Sequence, residues 1–456
     1  MTLPDLTSNT TYMESCLKIA VQRLSDFTSM EEIAEHEKEI NQYERLDHLS
    51  EPQDVYLLDA EAVPSADLDR ARQAVLDGRV FWEHTAAGEA TRLKLGSKYL
   101  IHPAEDLMPL DKIAADLSAD QGREVMVYEI EKNLNVMPDQ LLPLSLGQRH
   151  MLQHTYDLLL LAHEAGLKPT EVLSKQHSLV ILNEHTADTI LKQTMDAHFF
   201  GFSRKNCLFM VQPAFPGIEL KGGRFHIALD SPKRLHNHGQ LVMQETMDDQ
   251  IFRLDTHGNR EYLKAEEFEA ILETMLCKIS YNIEDLTYLT GSIYWAALAQ
   301  ALALGANGYD MVMEIVANDP EKPIKGGLAA YDSILNRNVM IESFQLLGMP
   351  NEDITHLNKN FNHYTNPVNS WRALKEKKLP MPIAIKNGYL YFQPVQGDIN
   401  FLVKTAFVRR KDFKPIRAWK SSANTVSALN AMHDQDNQTD FRKFAEKVLG
   451  AERLHK

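Results

Sequence analysis

VFWEHTAAGEATRLKLGSKYLI, residues Val80 to Ile101, is the stretch that decides the fold. Val80–Trp82 has the apolar, aromatic character of a short buried strand. It runs into a small-residue turn, Ala86-Ala87-Gly88-Glu89-Ala90, followed by Thr91, Arg92 and, further on, Lys98. Small residues after a strand let the backbone approach a ligand closely, and their N–H groups can hold phosphate oxygens. Arg92 and Lys98 would then offset the charge of a triphosphate. On spacing alone, an ordinary strand-to-helix turn carrying surface cations is an equally good reading. The segment is not a Walker loop, because G-x-x-x-x-G-K-[ST] is absent, and it is not G-x-G-x-x-G.

Outward from this stretch, short apolar runs alternate with amphipathic helices. Residues 148–165 read as a helix stopped by Gly166, with Pro169 beyond. Strands are expected at 178–182, 207–211, 286–289 and 311–316, and helices at 186–197, 266–277 and 293–304. Such alternation signals a Rossmann-like α/β domain with a mixed, mostly parallel sheet, which binds ligands beyond the carboxyl ends of its strands. Upstream, residues 11–47 and 66–76 look helical, with capping-box spacing between Ser29 and Glu32. After residue 387 the composition turns toward β and basic, through 389–393, 401–408 and the run Arg409-Arg410-Lys411. A Ser/Asn/Asp-rich stretch at 421–438 leads to a last helix near 441–449. We therefore expect a helical N-terminal extension (1–75), an α/β central domain (76–385) and a small C-terminal region (386–456).

Composition narrows the function. The chain has 456 residues, 44% hydrophobic and 24% charged, which suits a globular protein with a sizeable core. A formal charge of −15 argues against general nucleic-acid binding, although it leaves room for a local cationic pocket. Cys16, Cys207 and Cys277 are widely spaced and include no C-x-x-C, so they read as reduced thiols. The first residues show no basic-then-apolar leader, and the longest apolar stretch, 294–306, is short for a span and carries Gln300. A cytoplasmic protein with no membrane partner is expected; the sequence leaves its oligomeric state open.

Beyond these readings, the stretch AAGEATRL…K resembles the G-G-x-G-T-R-[LM]-G…P-K signature of the UDP-sugar and UDP-N-acetylhexosamine pyrophosphorylases, the UTP–sugar-1-phosphate uridylyltransferases. Further segments follow in the family's order. VILNEHTADT (180–189) is similar to its strand, polar turn and spaced threonines. HFFGFSRKNCLFMVQPAFPGI (198–218) is similar to its phenylalanine-rich stretch. LHNHGQ (235–240) is similar to the H-G-H-G-D loop. IKGGLAAYD…MIESFQL (324–346) is similar to I-G-G…V-E-Y-N-Q-L, and DFKPIRAWKSS (412–422) to R-F-x-P-[VL]-K-[TSN]. The match is patchy within each motif but spans about residues 80–425.

The resemblance implies a GT-A-like nucleotidyltransferase fold that joins UTP to a sugar 1-phosphate, with Mg²⁺ as the expected cofactor. It implies that the backbone at Ala87 and Gly88 lies against the nucleotide, with Arg92 and Lys98 meeting its phosphates. Gln212 would read the uracil edge, Gly239 would pack on the base, and His238 joins the same substrate-binding loop. Glu342, Gly327 and either Asn360 or Asn362 would contact the sugar. Arg417 or Lys420 would hold the sugar phosphate, Lys420 being counted with Arg92 and Lys98 as catalytic. In-line attack on the α-phosphorus asks a protein mainly for positioning and positive charge, which suits this set.

Three departures stand out. The loop's last two glycines are Ala90 and Lys94, and the proline before its lysine is missing. The family's metal-binding Asp turn is expected at Leu289-Thr290-Gly291-Ser292, where there is no carboxylate; Glu284, Asp285 and Asp310 are near in sequence. Gln240 replaces the acid of the H-G-D loop. The metal ligands therefore stay unknown, and a non-catalytic nucleotide-sugar-binding protein on the same fold is the alternative. His236-x-His238 lacks a third ligand at recognisable spacing, so zinc is a poor reading of it.

Overall fold

The expected strand at Val80 runs on to Thr85, and every residue in it but the last is buried. A computed structural model describes residues 3–88, 95–283, 285–321, 323, 325–377, 379–411, 419 and 421–450, with the side chains of 3–11 and 360 left out. Its central sheet is built on β1 (Tyr56–Leu58), β2 (Val80–Thr85), β3 (His177–Asn183), β4 (Cys207–Gln212), β5 (Ile251–Leu254), β6 (Arg260–Tyr262), β7 (Cys277–Asn282), β8 (Met311–Ala317), β9 (His356–Tyr364) and β10 (Thr405–Arg410). In space the order is β1-β10-β8-β9-β7-β2-β3-β4-β5-β6. The centre, β7-β2-β3-β4, is parallel, as are β8-β10 and β10-β1. β9 runs antiparallel between β7 and β8, while β5 and β6 close the far edge antiparallel. Three short strands attached to β9 complete a 13-stranded sheet, and 217–228 pairs with 383–392 in a separate four-stranded one. This is the mixed, mostly parallel α/β architecture expected.

The alternation of side chains along the central strands explains why they are buried on both faces. Trp82, Val180 and Phe209 join one apolar cluster, with helices Ser65–Leu76 and Leu146–Glu164. Their neighbours Phe81, Leu179 and Leu208 join another on the opposite face, with Phe268 of helix Ala265–Glu273 and Trp371 of helix Pro367–Lys377. Local signals set the ends of helix Leu146–Glu164. Ser145 Oγ accepts from Gln148 N and Gln148 Oε1 accepts from Ser145 N, a reciprocal capping box. The Ser29 cap forms as expected, with Ser29 Oγ accepting from Glu32 N.

Two assignments need correction. The expected strand at 286–289 is a 3₁₀ turn, and the true strand is β7, whose start lies inside the expected helix 266–277; that helix ends at Glu273. Lys278 and Ser280 of β7 are polar yet buried, so the run does not read as an apolar strand. Likewise the Ser/Asn/Asp-rich stretch holds a helix, Thr425–Asp436. Its Gln435 and Asp436 are buried because Arg149, fully enclosed, donates to both. The N-terminal segment, helical at Leu3–Leu24, Met30–Glu35, Glu37–Asn41 and Ser65–Leu76, also lends β1 to the central sheet.

Candidate functional site

Parallel strands leave their carboxyl ends along one edge of the sheet, and the loops that follow form a crevice there. A cleft of about 400 Å³ lies at that edge, lined by Thr85 from β2, Gln212 from β4 and Tyr281 and Asn282 from β7. Ala87, Gly88, His238 and Asn362 share it, so five of the residues singled out in the sequence meet across long stretches of chain.

The loop after β2 is pinned residue by residue. Thr85 Oγ1 donates to Tyr281 O (2.9 Å) and Ala86 N to Ile181 O (2.9 Å). Asn183 Nδ2 donates to Ala87 O (3.2 Å), while its Oδ1 accepts from the N–H groups of His185 and Thr186. Lys98 N returns to Gly88 O (3.2 Å), bringing Lys98 beside the loop. Among the described residues a Cβ on Gly88 would meet nothing within 4 Å, and Gly88 lines the cleft, so a side chain there would take up cleft space. Arg92, Arg417 and Lys420 lie outside the described residues, as does the side chain of Asn360.

Gln212 is held by what sequence reading took for a loss. Gln240, in place of an acid, accepts from Gln212 Nε2 (3.4 Å) and His236 N (2.8 Å), and donates to Pro213 O (2.8 Å). A carboxylate could accept both bonds but could not donate the third. Gln212 Nε2 also donates to Asn237 O (3.0 Å). Gly239 makes its tightest approach to the chain itself: a Cβ would fall 2.3 Å from the Pro394 carbonyl carbon, and Gly239 N donates to Pro394 O (2.9 Å). The two histidines have separate partners, His236 Nδ1 with Tyr12 OH and His238 Nδ1 with the N–H of Gln396. Burial lowers the pKa of His238, and an accepting Nδ1 fits a neutral ring.

Across the cleft, Asn362 of β9 is buried, and its Oδ1 has no hydrogen-bond partner among the described residues. An orphaned buried acceptor on a cleft wall calls for a ligand donor or water. Gly327 borders Glu342, whose Oε1 would lie 3.6 Å from a Cβ on that glycine. Glu342 is close enough for its charge to offset part of the burial effect at His238, whose pKa stays lowered, and to add to the burial that raises Asp398.

Beneath the cleft lies a charge cluster that the sequence did not reveal. Lys278 Nζ sits 2.6 Å from Glu83 Oε2 and 2.7 Å from Glu245 Oε2. Ser280 Oγ donates to Glu83 Oε1 (2.5 Å), and the Gln396 amide reaches Glu83, Ser280 and Tyr364. Burial and the Glu83 charge raise Glu245 well above the usual carboxylate range, whereas Lys278 helps hold Glu83 below it. A basic annex of about 420 Å³, sharing Gln212 and bearing Lys233, Arg234 and Lys386, adjoins the cleft. The adjacent pair Lys233-Arg234, just ahead of the histidine loop, was the available signal for it.

No carboxylate lines the described part of the cleft, and no trio of His, Cys, Asp or Glu among the described residues is arranged to hold a metal. The residue that carries a central parallel strand into the cleft is Asn282, not the turn at 289–292. That turn packs on helix Leu146–Glu164, where Ser292 N donates to Asp157 and Ser292 Oγ bonds His154. Asp285 is used locally, accepting from Thr287 N (2.9 Å). The described donors therefore do not make a Mg²⁺ site.

Comparison with known proteins identifies the architecture. By sequence the chain matches no protein-family model and no curated protein. By structure it is similar to a UDP-N-acetylglucosamine pyrophosphorylase from Trypanosoma brucei solved with an inhibitor, at TM-score 0.57 and 11% identity over 95% of this chain and 84% of that one. A UDP-N-acetylglucosamine pyrophosphorylase assigned in Entamoeba histolytica gives 0.53 and 15%, over 88% and 96%. A UDP-glucose pyrophosphorylase variant from Leishmania major gives 0.55 and 12%, over 91% and 78%. The chain has the fold of a nucleotidyltransferase, and its structural neighbours are UDP-sugar pyrophosphorylases. No helix among the described residues is long and apolar enough to cross a membrane.

Proposed function

We propose that the chain is a uridylyltransferase that makes a UDP-sugar and pyrophosphate from UTP and a sugar 1-phosphate. The observation that carries the reading is the cleft itself, where Ala87, Gly88 and Gln212 face Asn362 with its unpaired acceptor. In the proposed reaction a phosphate oxygen of the sugar 1-phosphate bonds to the α-phosphorus of UTP. The bond from that phosphorus to the bridging oxygen breaks, and pyrophosphate leaves with the electron pair. Ala87 and Gly88 would seat the nucleotide, Gln212 would read the uracil edge, and His238 and Gly239 would shape the loop beside it. Glu342, Gly327 and Asn362 would take the sugar; Arg92, Lys98, Arg417 and Lys420 would meet phosphates, where charge builds in the transition state. Mg²⁺ would arrive with UTP, bound to its phosphates and water, since Mg²⁺ readily keeps such ligands. The three buried free cysteines suit a reducing compartment such as the cytoplasm.

The test pairs calorimetry with turnover. UTP should bind more tightly than ATP, and pyrophosphate should be released on adding a sugar 1-phosphate with Mg²⁺. Equal or tighter binding of ATP would remove the uridine assignment. The missing carboxylate favours one other reading, a non-catalytic nucleotide-sugar-binding protein. Measurable UDP-sugar binding with no turnover on any sugar phosphate would select it.

A further inference from the structure

A second cavity, of about 830 Å³, is not the cleft and shares no lining residue with it. It opens between the N-terminal helices and the 396–401 turn. Arg23, Gln42 and Arg45 stand toward its mouth; Leu24, Asp398 and Phe401 lie within.

Its polar lining carries three guanidinium groups, those of Arg23, Arg45 and Arg337, beside the carboxylate of Glu44 and Asn41, whose buried Oδ1 has no hydrogen-bond partner among the described residues. Arg45 is neutralised by Asp332 at 2.7 Å and also donates to Tyr43. Arg23 donates to Met381 O (2.7 Å), with Glu44 nearby. Arg337 is bound only to backbone carbonyls, those of Asn400 and Val403, and has no carboxylate partner among the described residues. Asp398 is 1% exposed, and neither carboxyl oxygen has a hydrogen-bond partner among the described residues. Burial, aided by the Glu342 charge, pushes its pKa well above the usual carboxylate range. Guanidinium groups in a partly desolvated pocket favour acceptors that carry negative charge. Leu24, Phe27, Ile40, Pro380 and Phe401 add apolar wall, which a bare inorganic ion would leave unused.

We propose that this cavity is a second ligand site, taking an organic anion that bears its charged group on an apolar body. The site does not depend on the reading of the cleft as a uridylyltransferase centre. It does touch that cleft through one element: Gln396 and Gly397 line the cleft, whereas Asp398 and Phe401 of the same turn line the cavity. Arg337 grips the far end of this turn, so a ligand drawing on Arg337 acts on a wall common to both spaces.

The test uses the full chain and the fluorescent anion 1-anilinonaphthalene-8-sulfonate as probe. Titrations are run on the wild type, on Arg23→Gln and on Gln42→Trp, each with and without saturating UTP. Both variants alter exposed side chains at the mouth, and melting curves confirm that they are folded. The expected result is one probe per chain, bound about tenfold more weakly by each variant, as the loss of one charge-assisted bond or a blocked mouth implies. The probe should stay bound when UTP is present. Absence of a saturable site in the wild type, equal affinity in all three proteins, or displacement by UTP would each overturn the proposal. Failure of UTP to bind at all would count against the cleft reading and leave this one standing.

Discussion

Glu245→Gln removes a proton that the folded chain is expected to hold and changes little else. Glu245 Oε2 accepts from Lys278 Nζ at 2.7 Å, the carboxyl lies close enough to Glu83 to interact with it, and Oε1 has no hydrogen-bond partner among the described residues. A glutamine amide can reproduce both contacts, oxygen to lysine and N–H to carboxylate. The sign follows from linkage. The ordinary glutamate pKa of 4.5 describes the unfolded chain, and the folded value is raised by burial and by Glu83. Above pH 4.5 the unfolded chain releases a proton that the native chain keeps, so stability falls as pH rises. The slope reaches at most about 1.4 kcal/mol per pH unit, up to the raised pKa. Glu83 acts in the opposite sense, its lowered pKa stabilising above its ordinary value, but wild type and variant share that contribution. Glutamine carries no such proton. The variant should therefore gain on the wild type as pH rises above about 5, until the raised pKa is passed, and the two should lie closest at the acid end. Urea midpoints followed by tryptophan fluorescence at several pH values measure the difference. Parallel pH curves would refute the reasoning, because they would mean that Glu245 is ionised in the native state.

Three other substitutions probe the cleft. Lys98→Ala should lower turnover by about a hundredfold, the usual cost of removing a charge-stabilising group, with a melting temperature close to that of the wild type; wild-type turnover would move the phosphate site elsewhere. Asn362→Ala should weaken UDP-sugar binding about tenfold and leave UTP binding intact, read by calorimetry, since the orphaned oxygen has no bond to lose among the described residues; loss of UTP affinity alone would put it in the other half-site. Gly239→Ala places a Cβ 2.3 Å from the Pro394 backbone and should cost about 1–3 kcal/mol by overpacking, seen as a lower melting temperature. An unchanged melting temperature would show that the 394–396 segment yields freely.

The fold was legible where burial and local signals agree. Val80, Phe81 and Trp82 read as a strand because both faces are apolar, and Ser145 with Gln148 cap a helix by chemistry confined to four neighbouring residues. Legibility ends where a polar residue is satisfied from far away. Lys278 belongs in a strand interior only because Glu83 and Glu245 arrive there from distant segments, and Arg149 does the same for Gln435 and Asp436. The site shows the same division. Ala87 and Gly88 are marked by composition and Gln212 by the resemblance of its segment to the pyrophosphorylases, yet nothing local marks Asn183 as the clamp on Ala87, or Gln240 as the holder of Gln212. The basic annex was half visible, in Lys233-Arg234 but not in Lys386.

The walls of the cleft come from segments spread between Thr85 and Gly397. No fragment of the chain owns a binding surface, so affinity appears only once the parallel strands and the crossing strand β9 have all found their partners. Long-range pairing of this kind is slow, and it leaves partly assembled chains without a ligand to rescue them. A ligand that recognises only the finished cleft becomes a brace for the whole protein: at a hundredfold excess over its dissociation constant it adds about 2.7 kcal/mol to the folded state. Supply of the small molecule would then govern how much of this chain survives in the cell, as well as how fast it works.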